Sequence, residues 1–230
     1  MNPKAAMIFA AGFGTRMAPL TDQTPKPMIK VNGKPLIDHS LSLLDGFETI
    51  VVNTHYLAGQ IETHLANRPK VTCLREEPEI RETGGGLKNA LPVLGGDPVV
   101  VMNSDAVFAG PNPVPELLAR WDPDRMDALL TLVPIEQCIA HEGSGDFTLG
   151  EDDTLIRRGK NLTAPYVYSG VQILKTDWLA GISETSFSLN LLWNQMIAEQ
   201  RAFGWVYSGK WVDVGRPSGI QAAEKALGDV

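Results

Sequence analysis

The sequence predicts an α/β fold with a mostly parallel central sheet and helices on both faces. Two observations carry that expectation. Short apolar runs bounded by polar residues recur from Ala5 to Val133, and segments with helical periodicity fall between them. Size is a third: 230 residues, 43% of them hydrophobic, suffice for one substantial core, so a single domain spanning residues 1–230 is expected.

Ala5 to Ala10 is the first run, uncharged throughout and suited to a buried strand. Pro35 fits the first turn of a helix whose apolar face is Leu36, Ile37, Leu41 and Leu44, and Gly46 fits its end. Thr49 to Asn53 is the second strand. Tyr56 to Ala66 places Leu57, Ile61 and Leu65 four residues apart, on one helical face, and Val71 to Leu74 follows as a strand. Gly84-Gly85-Gly86 leads into a short helix over Leu87 to Leu94, after which Val99 to Asn103 and Ala128 to Val133 are again strand-like. Beyond about residue 140 the alternation is less regular. Gly143 to Gly150 is turn-rich and Tyr166 to Leu174 is a strand. Leu189, Leu192, Trp193, Met196 and Ile197 trace one helix with Ser188 as its candidate cap, and Ile220, Ala223 and Leu227 trace a terminal one.

Lys plus Arg is 20 against 27 Asp plus Glu, a formal charge of −7, which argues against a general grip on a nucleic-acid backbone. Any phosphate must be held locally. Cys73 and Cys138 are far apart and lack metal-type spacing, so a reducing compartment fits better than a disulfide scaffold. The run from Ala5 to Ala11 is stopped by Gly12, too short for a membrane span and without a cleavage pattern, and a cytoplasmic location is expected.

The strongest local signal is Ala10-Ala11-Gly12-Phe13-Gly14-Thr15-Arg16-Met17, directly after the first strand. Glycine lets backbone N–H groups close on phosphate oxygens without a Cβ in the way. A dinucleotide fingerprint would need a third glycine where Met17 stands and a helix opening at once, whereas Pro19 follows; a P-loop would need Gly-Lys-Ser/Thr. A plain structural turn is the remaining reading.

The ordered set Gly12 to Thr21, Thr24-Pro25-Lys26-Pro27 and Gly33 to Ile37 resembles the signature of sugar-1-phosphate nucleotidyltransferases. The resemblance continues through Glu82-Thr83-Gly84-Gly85-Gly86-Leu87, Asn103-Ser104-Asp105, Tyr168-Ser169-Gly170 and Trp211-Val212-Asp213-Val214-Gly215. Within that family the chain is most similar to the N-acetylmuramic acid 1-phosphate uridylyltransferases, through Glu-Thr-Gly-Gly-Gly, Gly145-Asp146-Phe147 and a short carboxyl end. The resemblance implies a Rossmann-like nucleotidyltransferase fold without a C-terminal β-helix. It also implies a nucleotide-binding half over about 1–135 and a sugar-phosphate half over about 136–230.

It further implies Arg16 and Lys26 as catalytic cations, with Ala10, Ala11, Gly12, Gly14, Thr15, Glu82, Gly84, Gly85 and Asn103 at the nucleotide. Gly145, Asp146, Ser169 and Gly170 would face the sugar, and Asp105 and Asp213 would hold Mg2+. Relatives carry a Glu-Lys-Pro triplet whose lysine meets the sugar phosphate; here Arg157-Arg158-Gly159-Lys160 stands in its place, so Arg158 and Lys160 are the cations to place. The implied reaction takes an NTP, UTP favoured, and a sugar 1-phosphate, with no nucleic acid and no membrane. Mannose-1-phosphate guanylyl transfer is the nearest alternative, and a catalytically silent nucleotide-binding module is the alternative of another class.

The chemistry suits these residue types. A sugar phosphate attacking a triphosphate brings like charges together, so cations and an in-line geometry are what catalysis needs. Magnesium takes oxygen ligands and keeps waters, so one or two carboxylates suffice. Asp105 ends an apolar run, where it is either a strand-end ligand or a capping aspartate. Asp213, between Trp211 and Val214, is either a ligand or one side of an ion pair with Arg216. Arg16 and Lys26 are either phosphate ligands or solvated surface cations.

Overall fold

The computed structural model describes residues 1–229. Its frame is a nine-stranded sheet whose centre is parallel: the strand Ala5–Phe9 lies between Thr49–Thr54 and Val99–Asn103, and Val71–Arg75 extends the row. The register sets Phe9 opposite both Asn53 and Asn103, so three strands end side by side. Beyond Val99–Asn103 the order turns antiparallel with Tyr166–Leu174, which also carries Ala128–Pro134 and the edge strands Phe147–Leu149 and Leu155–Arg157; Ala202–Val206 runs parallel to Ala128–Pro134. The expectation of a mostly parallel sheet covered on both faces is borne out.

Alternation along the strands explains the two layers. Ala5, Met7, Val99 and Val101 pack into one core with Leu87, Ala90 and Leu94 of the helix Glu82–Leu94 and Leu192, Trp193 and Met196 of the helix Asn190–Ala198. The neighbouring residues Ala6, Ile8, Val100 and Met102 pack into the other, against Ile37 and Leu41 of Leu36–Leu41, Ile61 and Leu65 of Ala58–Leu65, and Val114 and Leu117 of Pro113–Arg120. Ala5–Phe9, Val99–Asn103 and Ala128–Pro134 form almost wholly from buried apolar residues because both their faces are covered, whereas Val71–Arg75 at the edge is only partly buried.

A second, three-stranded sheet bridges distant parts of the chain. Ala106–Ala109 pairs antiparallel with Lys210–Asp213, which also runs parallel to Cys138–Ile139. The terminal helix Pro217–Gly228 packs Ala223 and Ala226 beneath it, with Met17 and Val31 from the opposite end of the sequence.

Several elements differ from their sequence-based outlines. The first strand ends at Phe9, and the helix expected over Tyr56 to Ala66 is Ala58–Leu65, because Leu57 takes a left-handed conformation. The helix expected from Leu87 begins at Glu82, so the glycine triplet lies inside its first turns rather than in a loop before it. Ser188 does act at the start of its helix, accepting the Asn190 N–H at 3.2 Å. Pro113–Arg120 and the edge strands went unrecognised, being short and partly polar, as did Ala202–Val206, a five-residue run broken by Gly204.

Candidate active site

A cleft of 330 Å³ opens where the parallel strands end, walled by Ala10 to Gly12, Gly14 to Arg16, Lys26, Asn53, Glu82, Thr83 and Asn103 to Asp105. The glycine-rich segment crosses it as an open loop and closes into a tight turn at Thr15–Met17. Gly14 makes that turn with φ +65, and a Cβ there would stand 2.9 Å from both Lys26 Cβ and Thr21 Cγ2, so the missing side chain is what lets Lys26 approach the loop. Met17, fully buried, pins the turn's far end.

The loop's start is held by a buried relay. Asn53 Oδ1 accepts the Ala10 N–H at 2.9 Å, and Asn53 Nδ2 donates to Glu76 Oε1 at 2.8 Å. The other Glu76 oxygen accepts the Arg81 N–H at 2.7 Å, immediately before Glu82 and Thr83. One wholly buried carboxylate therefore ties the two segments that face each other across the cleft. Gly86 makes room for it, since a Cβ there would lie 2.7 Å from Glu76 Oε1.

Asp105 and Asp213, 108 positions apart, are brought together by strand pairing. Asp213 is in register with Ala106, and the Val214 N–H donates to the Asp105 carbonyl at 3.1 Å. Among the described residues each carboxylate has one cationic or ring-nitrogen partner: Lys26 Nζ on Asp105 Oδ2 at 2.6 Å, and His141 Nδ1 with Asp213 Oδ2 at 3.0 Å. In both, Oδ1 is left for another partner. Arg216 pairs with Glu142 at 2.9 Å, so the expected alternative of an Asp213–Arg216 pair is corrected. Arg16 is exposed beside Asp213. A Cβ on Gly215 would meet Asp213 Oδ1 at 2.7 Å and both terminal nitrogens of Arg16 at 3.2 Å. A second hollow, lined by Arg16, His141, Asp213 and Arg216, continues the cleft on that side.

Not every expected residue lines the cleft. Gly84 and Gly85 are buried, their N–H groups donating to Phe187 O at 2.8 and 3.1 Å, and a Cβ on either would overlap the Thr185 to Phe187 segment. Their expected place at the nucleotide is corrected to close packing of the helix; Glu82 and Thr83 form the wall instead. Ser169 is wholly buried with its carbonyl accepting from Trp211 Nε1 at 2.9 Å, and Gly145 is pressed against the Ala164 backbone, so neither faces open space as expected. Asp146 Oδ2 accepts the Tyr168 N–H at 2.9 Å, holding the end of the Tyr166–Leu174 strand. Gly170 faces Asn103, with φ +92 at the strand's irregular step. Arg158 reaches Leu162 O at 3.4 Å, and Lys160 is exposed.

Sequence reading gave no role to Asn53, Glu76 or His141, and named Arg157 and Tyr168 only as members of the segments Arg157-Arg158-Gly159-Lys160 and Tyr168-Ser169-Gly170. Of the first three, only Asn53, a polar residue closing an apolar run, carried a local signal. Burial holds the Tyr168 phenol far above its ordinary pKa, with Asp105 adding to the effect, so it is a neutral group beside the cleft.

Among the described residues no three His, Cys, Asp or Glu side chains are set to enclose a metal. The Asp105 and Asp213 pair fits magnesium nonetheless, because that ion takes one or two carboxylates and completes its shell with water and substrate phosphates. No described helix is long and apolar enough to cross a membrane.

Residues 6–139 match the MobA-like NTP transferase domain. The chain is 40% identical to the N-acetylmuramate alpha-1-phosphate uridylyltransferase of Caulobacter vibrioides, over 99% of this chain and 98% of that one. It is 35% identical to the enzyme of that name from Neisseria meningitidis, over 97% and 98%. Mannose-1-phosphate guanylyltransferases are more distant relatives, at 24–26%. In fold it resembles a putative glucose-1-phosphate thymidylyltransferase of Bacillus anthracis, with a TM-score of 0.81 over 98% of this chain and 96% of that one at 18% identity.

Proposed function

The chain belongs to the MobA-like NTP transferase family, among its sugar-1-phosphate nucleotidyltransferases, and from that premise we propose that it joins UTP to N-acetylmuramic acid 1-phosphate. The products are the UDP-sugar and pyrophosphate. The observation that carries the chemistry is the meeting of Asp105, in the bend before the strand Ala106–Ala109, with Asp213, at the end of the strand paired to it, beside Lys26 and Arg16 at the open end of the glycine loop. The choice of base and sugar rests on the two uridylyltransferases to which the chain is similar along nearly its whole length.

In this reading the backbone from Ala10 to Thr15 receives the nucleotide, with Glu82, Thr83 and Asn103 as the facing wall. A phosphate oxygen of the sugar phosphate attacks the α-phosphorus of UTP; the bond from that phosphorus to the bridging oxygen breaks and pyrophosphate leaves. Arg16 binds the departing β- and γ-phosphates, for which a guanidinium fork is suited. Lys26, turning from Asp105 to substrate, grips the transferring phosphate. Asp105 and Asp213 would hold magnesium, which would supply neutralisation of the substrates' phosphate charge. The attacking oxygen is already ionised at neutral pH, so the site needs no general base. We place this reaction in the cytoplasm, in the recycling of cell-wall peptidoglycan.

Pyrophosphate release from purified protein with magnesium tests the proposal, using UTP, GTP, CTP, ATP and dTTP against a panel of sugar 1-phosphates. Turnover with UTP and N-acetylmuramic acid 1-phosphate is expected. GTP with mannose 1-phosphate as the preferred pair would overturn the substrate assignment, and silence across the panel would overturn the activity.

A further inference from the structure

We propose that Arg157 is a carboxylate-binding site in the sugar half of the cleft and recognises the lactyl acid of an N-acetylmuramic acid substrate, a reading that rests on the function proposed above. Arg157 sits opposite Phe147 across paired edge strands, on the same face of the sheet. Its guanidinium lies over the rings of Phe147 and Trp193, 5.0 and 5.3 Å from their centroids. It is half-buried, yet its hydrogen bonds go only to neutral groups: Nε to Asn194 Oδ1 at 3.0 Å and Nη2 to the Asn190 carbonyl at 3.4 Å.

Arg68, Arg75, Arg120, Arg201 and Arg216 pair with carboxylates, whereas Arg157, like Arg16, Arg81, Arg125 and Arg158, has none within ion-pair distance among the described residues. Of those five, Arg157 is half-buried and lies over two aromatic rings. Asp146, the nearest acid to act on it, is committed to the Tyr168 N–H. Burial depresses the Arg157 pKa, and the charge of Asp146 offsets that only in part. Such a group is stabilised when an anion arrives, and a planar fork held on two aromatic rings is already oriented to take one through two hydrogen bonds.

Its place matches the far end of the sugar. Thr83, in the cleft wall, accepts the Leu189 N–H at 2.9 Å, and the next residue, Asn190, supplies the carbonyl that holds Arg157. On the other side the Tyr168 ring meets Trp193 edge-on at 5.0 Å and leads through Ser169 and Gly170 to Asn103. With the phosphate of the sugar at Lys26, an acid on the opposite side of the pyranose falls toward Arg157. N-acetylmuramic acid has such an acid as its lactyl ether; N-acetylglucosamine is the same ring without it.

The test measures binding of UDP-N-acetylmuramic acid and UDP-N-acetylglucosamine by calorimetry, with wild-type protein and Arg157→Gln, which keeps most of the stem over Trp193. The wild type is expected to bind the acid ligand more tightly, and the variant to lose about 10- to 100-fold for that ligand alone, the size of a charge-assisted contact. Arg157→Lys, keeping charge without the fork, is expected to fall between. Equal loss for both ligands would assign Arg157 to phosphate or to scaffolding, and no loss for either would leave it no role; both overturn the inference. Wild-type turnover is measured alongside. Selective loss on Arg157→Gln without UTP turnover would sink the proposed reaction while keeping the carboxylate site.

Discussion

Asp127, at the edge of the nine-stranded sheet, and the pair Asp105 and Asp213, where the three-stranded sheet meets the cleft, are built to different rules. At the start of Ala128–Pro134, Asp127 receives four donors: Arg201 through two nitrogens at 2.9 Å each, Lys175 at 2.8 Å and Trp178 Nε1 at 3.1 Å. Both its oxygens are filled, and the residue is buried. At the cleft, Asp105 and Asp213 have one partner each among the described residues and one oxygen to spare, and their exposure is greater. A closed shell of donors holds a fold together, whereas a half-filled one has capacity for a ligand. The contrast separates structural from functional aspartates where residue type cannot.

Substituting the open end should produce the largest effect on activity. Asp105→Asn is expected to reduce pyrophosphate release by about 10³-fold while shifting unfolding free energy by only about 1 kcal/mol, since its partner Lys26 can still reach solvent or the amide. Unfolding in urea alongside the rate assay checks both halves. A variant that lost stability but kept its rate would erase the distinction.

Asp127→Asn should behave in the opposite way. Removing one side of a buried ion pair costs about 3 kcal/mol, with turnover per folded molecule within about threefold of wild type. Burial alone would raise the Asp127 pKa, but the donated hydrogen bonds of Arg201 and Lys175 outweigh it and hold the carboxyl below its ordinary value. The sign follows: its contribution is present above the ordinary aspartate pKa near 3.9 and is lost as pH falls through the lower folded value. Urea midpoints of the wild type should therefore drop more steeply below about pH 4 than those of Asp127→Asn. Parallel curves would break the comparison.

Glu76→Gln tests a site between the two extremes, a closed shell that serves the open one. An amide cannot accept from both Asn53 and Arg81 as the carboxylate does, so one donor loses its partner, at a cost of about 1–2 kcal/mol. The expected kinetic loss is about tenfold in kcat/KM, carried mainly by the KM for nucleotide because the glycine loop and its facing wall shift apart. A loss in stability with KM unchanged would make Glu76 a fold residue only.

The parts legible in sequence were those whose partners lie close along the chain. Ala5 to Phe9 and Val99 to Asn103 announce buried strands by composition, and Asp105 stands where such a strand must end. Gly14, Arg16 and Lys26 lie within one local signature. Gly84 and Gly85 were misplaced because their contact, the Phe187 carbonyl, lies about a hundred positions away, and a glycine that admits a ligand looks in sequence like one that admits a neighbouring backbone. His141 and Glu76 gave no local signal, since a histidine on an edge segment or a glutamate after a strand is ordinarily solvated.

By itself, then, the sequence determined the α/β class, the loop at the first strand's end and the residue types needed to handle phosphate. These follow from periodicity, backbone freedom and charge, which act over a few residues. Tertiary structure decided that Asp213 stands beside Asp105, that Glu76 ties the loop to the opposite wall and that Arg157 is left without an acid. Those depend on strand register and burial between distant segments, such as the 72 positions that separate His141 from Asp213, where the dielectric and the set of neighbouring donors exist only once the chain has folded.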